Sequence, residues 1–164
     1  MNFNWFKSIV KSFYFAFQGI RDVIKRERNF RIHIVAVYYV SLFAILYKLT
    51  NVEYAILFLT YFIVLALEIV NTAVEAVIDL NIYEKNEYAR LAKDAAAAGV
   101  LIAAVCSVIV AVFLFGNPDK LGSTVSMIVS TPLILVFVLP LLPAVLFVKG
   151  SKNWEKLSKK GKDK

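Results

Sequence analysis

The chain has 164 residues, 60% of them hydrophobic, with a formal net charge of +7 and a mean hydropathy of +0.68. That is enough chain for one domain, and it is too apolar for a soluble domain of this size, so an integral membrane protein is expected. The basic residues lie beside apolar segments, which reads as membrane topology rather than nucleic-acid binding; the single Cys106 falls mid-span and excludes a disulfide framework or a CxxC site.

Lys7 and Lys11 interrupt the first apolar residues, so no cleavable leader is expected. Residues 5–28 read as an amphipathic helix. Trp5, Phe6, Ile9, Val10, Phe13, Ala16, Phe17, Ile20 and Ile24 recur at helical spacing. Lys7, Lys11, Gln18, Arg21, Asp22 and Lys25 fall on the other side. Such a helix suits the plane of an anionic membrane surface.

Three apolar runs follow, over about 32–49, 54–78 and 95–115, and are read as spans; the first is short, and His33 lies near its start. A fourth run over 125–148 carries Pro132, Pro140 and Pro143, and its course is expected to be irregular or tilted. Basic residues are dense before the first span, sparse in the first loop, moderate in the second, sparse in the third and dense in the tail. The positive-inside rule then places both termini and the 79–94 loop in the cytoplasm. The expected fold is an all-α integral membrane protein: a surface helix, three core spans and a fourth C-terminal span. The expected division is a core over 1–115, an added span within 116–148 and a basic cytoplasmic tail over 149–164.

The second span ends in EIVNTAVEAVID, residues 68–79. With Glu68 at 0°, Asn71 lies at about −60°, Glu75 at about −20° and Asp79 at about +20° on an ideal helix. All four share one face. Counting about 1.5 Å per residue from Tyr54, Glu68 is about 21 Å in and Glu75 about 31 Å in, at the cytoplasmic edge. Charge inside a membrane is costly and marks function by default. Three uses are weighed: polar glue between helices, a proton or ion path, and a metal-phosphate site. Carboxylates at a water-accessible edge suit Mg²⁺ and its phosphate partners. Lys93-Asp94 opens the third span at the same edge, and a lysine there can meet phosphate or snorkel. Glu27, which closes the amphipathic helix, arrives at the same depth.

The segments ERNFRIH (27–33), EIVNTAVEAVID (68–79) and AKDAAAAGV (92–100) together resemble the small bacterial lipid kinases, the prokaryotic diacylglycerol kinase and undecaprenol kinase family. The likeness covers roughly residues 8–115. Walker A and GxGxxG loops are absent from the sequence. The resemblance implies a homotrimer in the bacterial inner membrane, with active sites shared between chains at the cytoplasmic interface. It implies transfer of the ATP γ-phosphate to a lipid hydroxyl. By the same resemblance Glu68 is the general base, and Glu27 and Glu75 hold Mg²⁺ and ATP. Asn71, Glu84, Lys85, Asn86, Lys93 and Asp94 fall on the nucleotide side, and Asn29 and Arg31 join Glu68 on the lipid side. Where the diacylglycerol branch carries an arginine and a tyrosine against ATP, this chain has Ser8 and Phe15, with Tyr14 adjacent. ERNFRIH looks closer to the undecaprenol branch, so undecaprenol kinase is the expected activity and diacylglycerol kinase the alternative. From other classes, an ion or proton transporter and an idle membrane adaptor are the rivals. The fourth span and tail lie outside the resemblance.

Overall fold

The computed structural model describes residues 3–81 and 86–150. Seven helices follow in order: α1 (Phe3–Arg26), α2 (Arg28–Tyr47), α3 (Asn51–Asn81), α4 (Glu87–Phe115), α5 (Pro118–Ser130), α6 (Leu133–Val138) and α7 (Leu141–Lys149). There is no strand among the described residues, so the all-α expectation holds. Three helices are long and apolar enough to cross a membrane: Arg28–Tyr47, Asn51–Leu80 and Glu87–Phe115. Each starts before the expected run, because polar residues at its ends continue the helix.

The helix ends are set locally. Glu27 takes an extended conformation between α1 and α2, which makes the elbow between surface helix and first span. Lys48 adopts a left-handed conformation with φ 54°, and its amide and that of Leu49 return to the carbonyls of Ile45 and Ala44. A reciprocal capping box then starts α3: the Thr50 amide donates to Glu53 Oε2 at 2.6 Å, and the Glu53 amide donates to Thr50 Oγ1 at 3.4 Å. At the start of α5, Asn117 Oδ1 accepts from the Lys120 amide at 3.0 Å, and Pro118 occupies the first turn.

The best-packed region lies where α2 ends, α3 begins and α4 ends. Ala44, Tyr47, Leu49, Leu57 and Leu114 are buried there, and Phe43, Tyr54 and Phe115 pack against them. Phe115 meets the rings of Phe43 at 5.3 Å and Tyr47 at 5.1 Å, both edge-on. Tyr54 Oη donates to the Ala44 carbonyl at 3.1 Å. This aromatic knot sits at the opposite end of α3 from the acidic face.

The proline-bearing segment is broken, as its composition led one to expect. α5 and the stretch Leu133–Lys149 are bent by 92° relative to each other, at a break formed by Thr131 and Pro132. Its contacts with α2 fall in reverse order. Lys120 Nζ donates to the Lys48 carbonyl at 3.2 Å and lies 4.3 Å over the Tyr47 ring, at the end of α2. Phe137 stacks on Tyr39 at 6.4 Å, near its middle. The Val148 carbonyl accepts from Arg31 Nε at 3.2 Å, near its start. The segment therefore touches α2, a helix of 20 residues and about 30 Å, near its end, its middle and its start in turn.

A bent segment that accompanies a span from end to end is expected to share its crossing. With Cys106 replaced, Lys149→Cys should resist an impermeant thiol reagent in intact cells and react once the cells are opened. Labelling of intact cells would show instead that the segment re-enters on the outer side.

Candidate active site

The polar end of the bundle is built by three helices. Glu68 on α3 is 3% exposed. Its Oε1 lies 3.3 Å from His33 Nε2 on α2. Asn29 stands one helical turn before His33, and Asn71 almost one turn after Glu68. These four side chains, with Ile32 from α2 and Ala97, Val100, Leu101 and Ala104 from α4, line an open cleft of about 310 Å³. The cleft is polar on its α2–α3 side and apolar along α4. Alanines at 97 and 104 make that wall shallow, so room remains beside Glu68.

Above the cleft Asn71 Nδ2 donates to Glu75 Oε1 at 3.0 Å. Asn71 Oδ1 is buried with no hydrogen-bond partner. Glu27, at the elbow, faces the same group of acids. Burial holds its carboxyl above the usual carboxylate range, and the Glu75 and Glu68 charges push it further up; Arg31 and Arg26 oppose them. Glu27 from the elbow thus stands close enough to Glu68 and Glu75 of α3 to feel both charges. The cleft and these acids lie within residues 14–115, the stretch that matches the family model described as prokaryotic diacylglycerol kinase.

The chain belongs to the prokaryotic diacylglycerol kinase family. It is 40% identical over 104 residues to a diacylglycerol kinase of Synechocystis sp., covering 63% of this chain and 59% of that protein. It is 38% identical over 105 residues to the undecaprenol kinase of Bacillus subtilis, covering 64% of this chain and 85% of that one. The diacylglycerol kinase of Escherichia coli K12 is 32% identical over 108 residues, 66% of this chain and 88% of the relative. No solved structure matches the chain significantly. Membership assigns the enzyme class, a lipid kinase. Helices α5–α7 lie beyond the matched stretch.

In this lipid kinase the remaining residues singled out from sequence fall into two groups. Asn29 lines the cleft with Glu68. Arg31 does not line it: the side chain is 5% exposed, and Nη1 donates to the carbonyls of Ile24 at 2.8 Å and Lys25 at 3.1 Å. With the Val148 contact, the guanidinium joins the end of α1, the start of α2 and the end of α7. On the other side, Lys93 pairs with Asp79 across α3 and α4. Asp94 pairs with Arg90 at 3.0 Å, both side chains being exposed. Asn86 caps α4, its Oδ1 accepting from the amides of Tyr88 at 2.9 Å and Ala89 at 3.4 Å. Glu84 and Lys85 lie outside the described residues.

Two partners were not singled out from sequence for the roles the structure gives them. His33 was noted only as lying near the start of a span. Its signal was the four-residue spacing from Asn29, which sets both on one face of α2. Asp79 was placed on the acidic face without a partner. Because α3 and α4 form an antiparallel pair, its position at the end of one and that of Lys93 near the start of the other foretell the contact.

The cap makes a separable prediction. Asn86→Ala should lower stability in detergent by about 1 kcal/mol, whereas Asn86→Ser should keep most of it. A thermal melt of the two variants checks this. A rise in the KM for ATP shared by both would show a nucleotide contact in addition to the cap.

Proposed function

We propose that the protein is a Mg²⁺- and ATP-dependent undecaprenol kinase of the bacterial cytoplasmic membrane, with its termini and active site on the cytoplasmic side. The carrying observation is the buried Glu68 at the edge of a cleft that is polar on one side and apolar on the other. A long-chain alcohol needs both: an apolar wall for its chain and a base beside its hydroxyl. The undecaprenol kinase of Bacillus subtilis and the ERNFRIH segment support the choice of lipid, and the diacylglycerol kinases among the relatives make diacylglycerol the comparison substrate.

The donor set suits Mg²⁺. Among the described residues no three His, Cys, Asp or Glu side chains gather as a cage. Mg²⁺ ordinarily takes only one or two carboxylates and completes its shell with phosphate oxygens and water. Glu27 and Glu75 would supply those carboxylates, with the unpartnered Asn71 Oδ1 as a nearby oxygen. When bound, the ion offsets charge on the transferring phosphate.

The protein's own groups do the rest. Asn71 holds Glu75 in place through its 3.0 Å hydrogen bond. Glu68 takes the proton of the lipid hydroxyl as that oxygen attacks. Lys93, held at the cytoplasmic end by Asp79, is the cation for the nucleotide phosphates, and Asp94 and Asn86 stand on the same side. Positioning and electrostatics carry most of the catalysis in phosphoryl transfer. The reading includes a homotrimer in which a neighbouring chain closes the open side of each cleft.

Labelled-ATP phosphorylation of undecaprenol and diacylglycerol in mixed micelles tests the assignment. Undecaprenol should be the better substrate by kcat/KM, and a preference for diacylglycerol would reverse the choice of lipid. Glu68→Gln should lower kcat by about 10²–10⁴-fold with little change in the KM for ATP, since a base acts in the transition state. Retained activity would remove Glu68 from that role.

Mg²⁺ dependence should also follow the titration of Glu27. Its carboxyl holds its proton to higher pH than the ordinary 4.5, and the neutral form is a poor ligand. On acidification the apparent Mg²⁺ affinity should therefore begin to fall above the usual carboxylate range. Glu75→Gln removes one of the charges that raise Glu27, so the fall should move to lower pH on a weaker baseline. Magnesium titrations of activity across pH check both the position and the direction of the shift.

A further inference from the structure

We infer that His33 is a positioning residue for Glu68: its Nε2–H holds one carboxylate oxygen and leaves the other free to take the lipid proton. The inference rests on the lipid-kinase reading of the cleft and names a residue that this reading does not use.

A carboxylate taken out of water needs a donor or a cation beside it. Glu68 has 4% of its side chain exposed, and the imidazole 3.3 Å away has 24%. The other groups facing Glu68 do not meet that need. α4 offers Ala97, Val100, Leu101 and Ala104, all apolar. On α3, the Asn71 amide nitrogen is engaged by Glu75, and Thr72 Oγ1 donates to the Glu68 backbone carbonyl at 2.9 Å rather than to its carboxylate. Glu27 and Glu75 add negative charge. Asn29 lines the same cleft. The Arg31 guanidinium makes its hydrogen bonds to carbonyls at 24, 25 and 148. His33 Nε2, 3.3 Å from Oε1, is thus the side-chain nitrogen that stands against the Glu68 carboxylate among the described residues.

The arrangement has a chemical consequence. With Oε1 held, Oε2 is the atom left to face the hydroxyl. In the transfer the lipid O–H bond breaks, a new O–P bond forms and the bond from the γ-phosphorus to the ADP oxygen breaks. The proton goes to Glu68 Oε2 and returns to water as product leaves. His33 keeps its own protons throughout, so any neutral N–H donor of similar reach can take its place.

The test uses the full-length purified protein. His33→Leu should lower kcat about 10²-fold, the scale of a 1 Å misplacement of a reacting group, and leave the KM for MgATP within about twofold of the wild type. His33→Gln, which retains an N–H donor, should recover at least a third of the wild-type kcat. A His33→Leu variant as fast as wild type would overturn the proposal, as would a Gln variant no better than the Leu variant. A second arm needs no turnover. The chain has one histidine, so imidazole ¹⁵N resonances at fixed pH report on His33 alone. They should move in Glu68→Leu and stay put in Glu53→Gln, a change at the far end of α3. Identical imidazole spectra in wild type and Glu68→Leu would refute the contact itself. If the wild-type protein phosphorylated neither lipid, the lipid-kinase reading would fall separately, with the imidazole spectra still deciding the His33–Glu68 pair.

Discussion

Glu68 is 3% exposed on a helix that is otherwise apolar enough to cross a membrane. Burying an unpaired carboxylate costs several kcal/mol, and the cost falls only when donors or opposite charge are brought to it. Much of the polar architecture answers to that constraint. α2 must present His33 at the right depth, which requires the elbow at Glu27 to place its first turn. α4 must come close without adding charge, which its alanines permit. The acids then repel one another: burial and the charges of Glu75 and Glu68 hold the Glu27 carboxyl above its ordinary range. That mutual repulsion between Glu27 and the acids of α3 is the electrostatic feature on which the proposed Mg²⁺ site rests.

The two ends of the bundle divide the work. Tyr47, Leu57 and Leu114 are buried at one end, with Phe115 wedged between the rings of Phe43 and Tyr47. That knot fixes the mutual rotation of α2, α3 and α4 and hence which face of each points inward. At the other end the helices are joined by polar contacts: His33 to Glu68 and Lys93 to Asp79. Packing at the far end sets the register, so the near end can stay open enough to hold a cleft. An apolar core at both ends would leave no room for a substrate.

Helices α5–α7 fall outside the family match, yet they are not detached from the core. They follow α2 from Lys48 to Arg31. Arg31 gathers backbone carbonyls from α1 and α7 at the elbow that carries Glu27. The added segment therefore touches the part of the fold that sets the first turn of α2, two residues from Asn29 and His33.

Composition and periodicity determined the class of fold and the places where charge enters the membrane. A helix repeats every 3.6 residues, so the shared face of Glu68, Asn71 and Glu75 was legible without coordinates, as were the three apolar helices and the break at the prolines. The partners of Arg31 and Lys93 within the chain were not legible in the same way, because spacing along one helix says nothing of what a neighbouring helix offers. Arg31 meets carbonyls at the ends of α1 and α7, and Lys93 meets a carboxylate from α3. His33 was the converse case: alone it is one polar residue near the start of a span, and only the approach of α3 makes it the partner of Glu68. Local sequence determines which face a side chain occupies. Which side chain stands opposite is decided by the rotation and depth of packed helices, set here by the aromatic knot at the other end of the bundle.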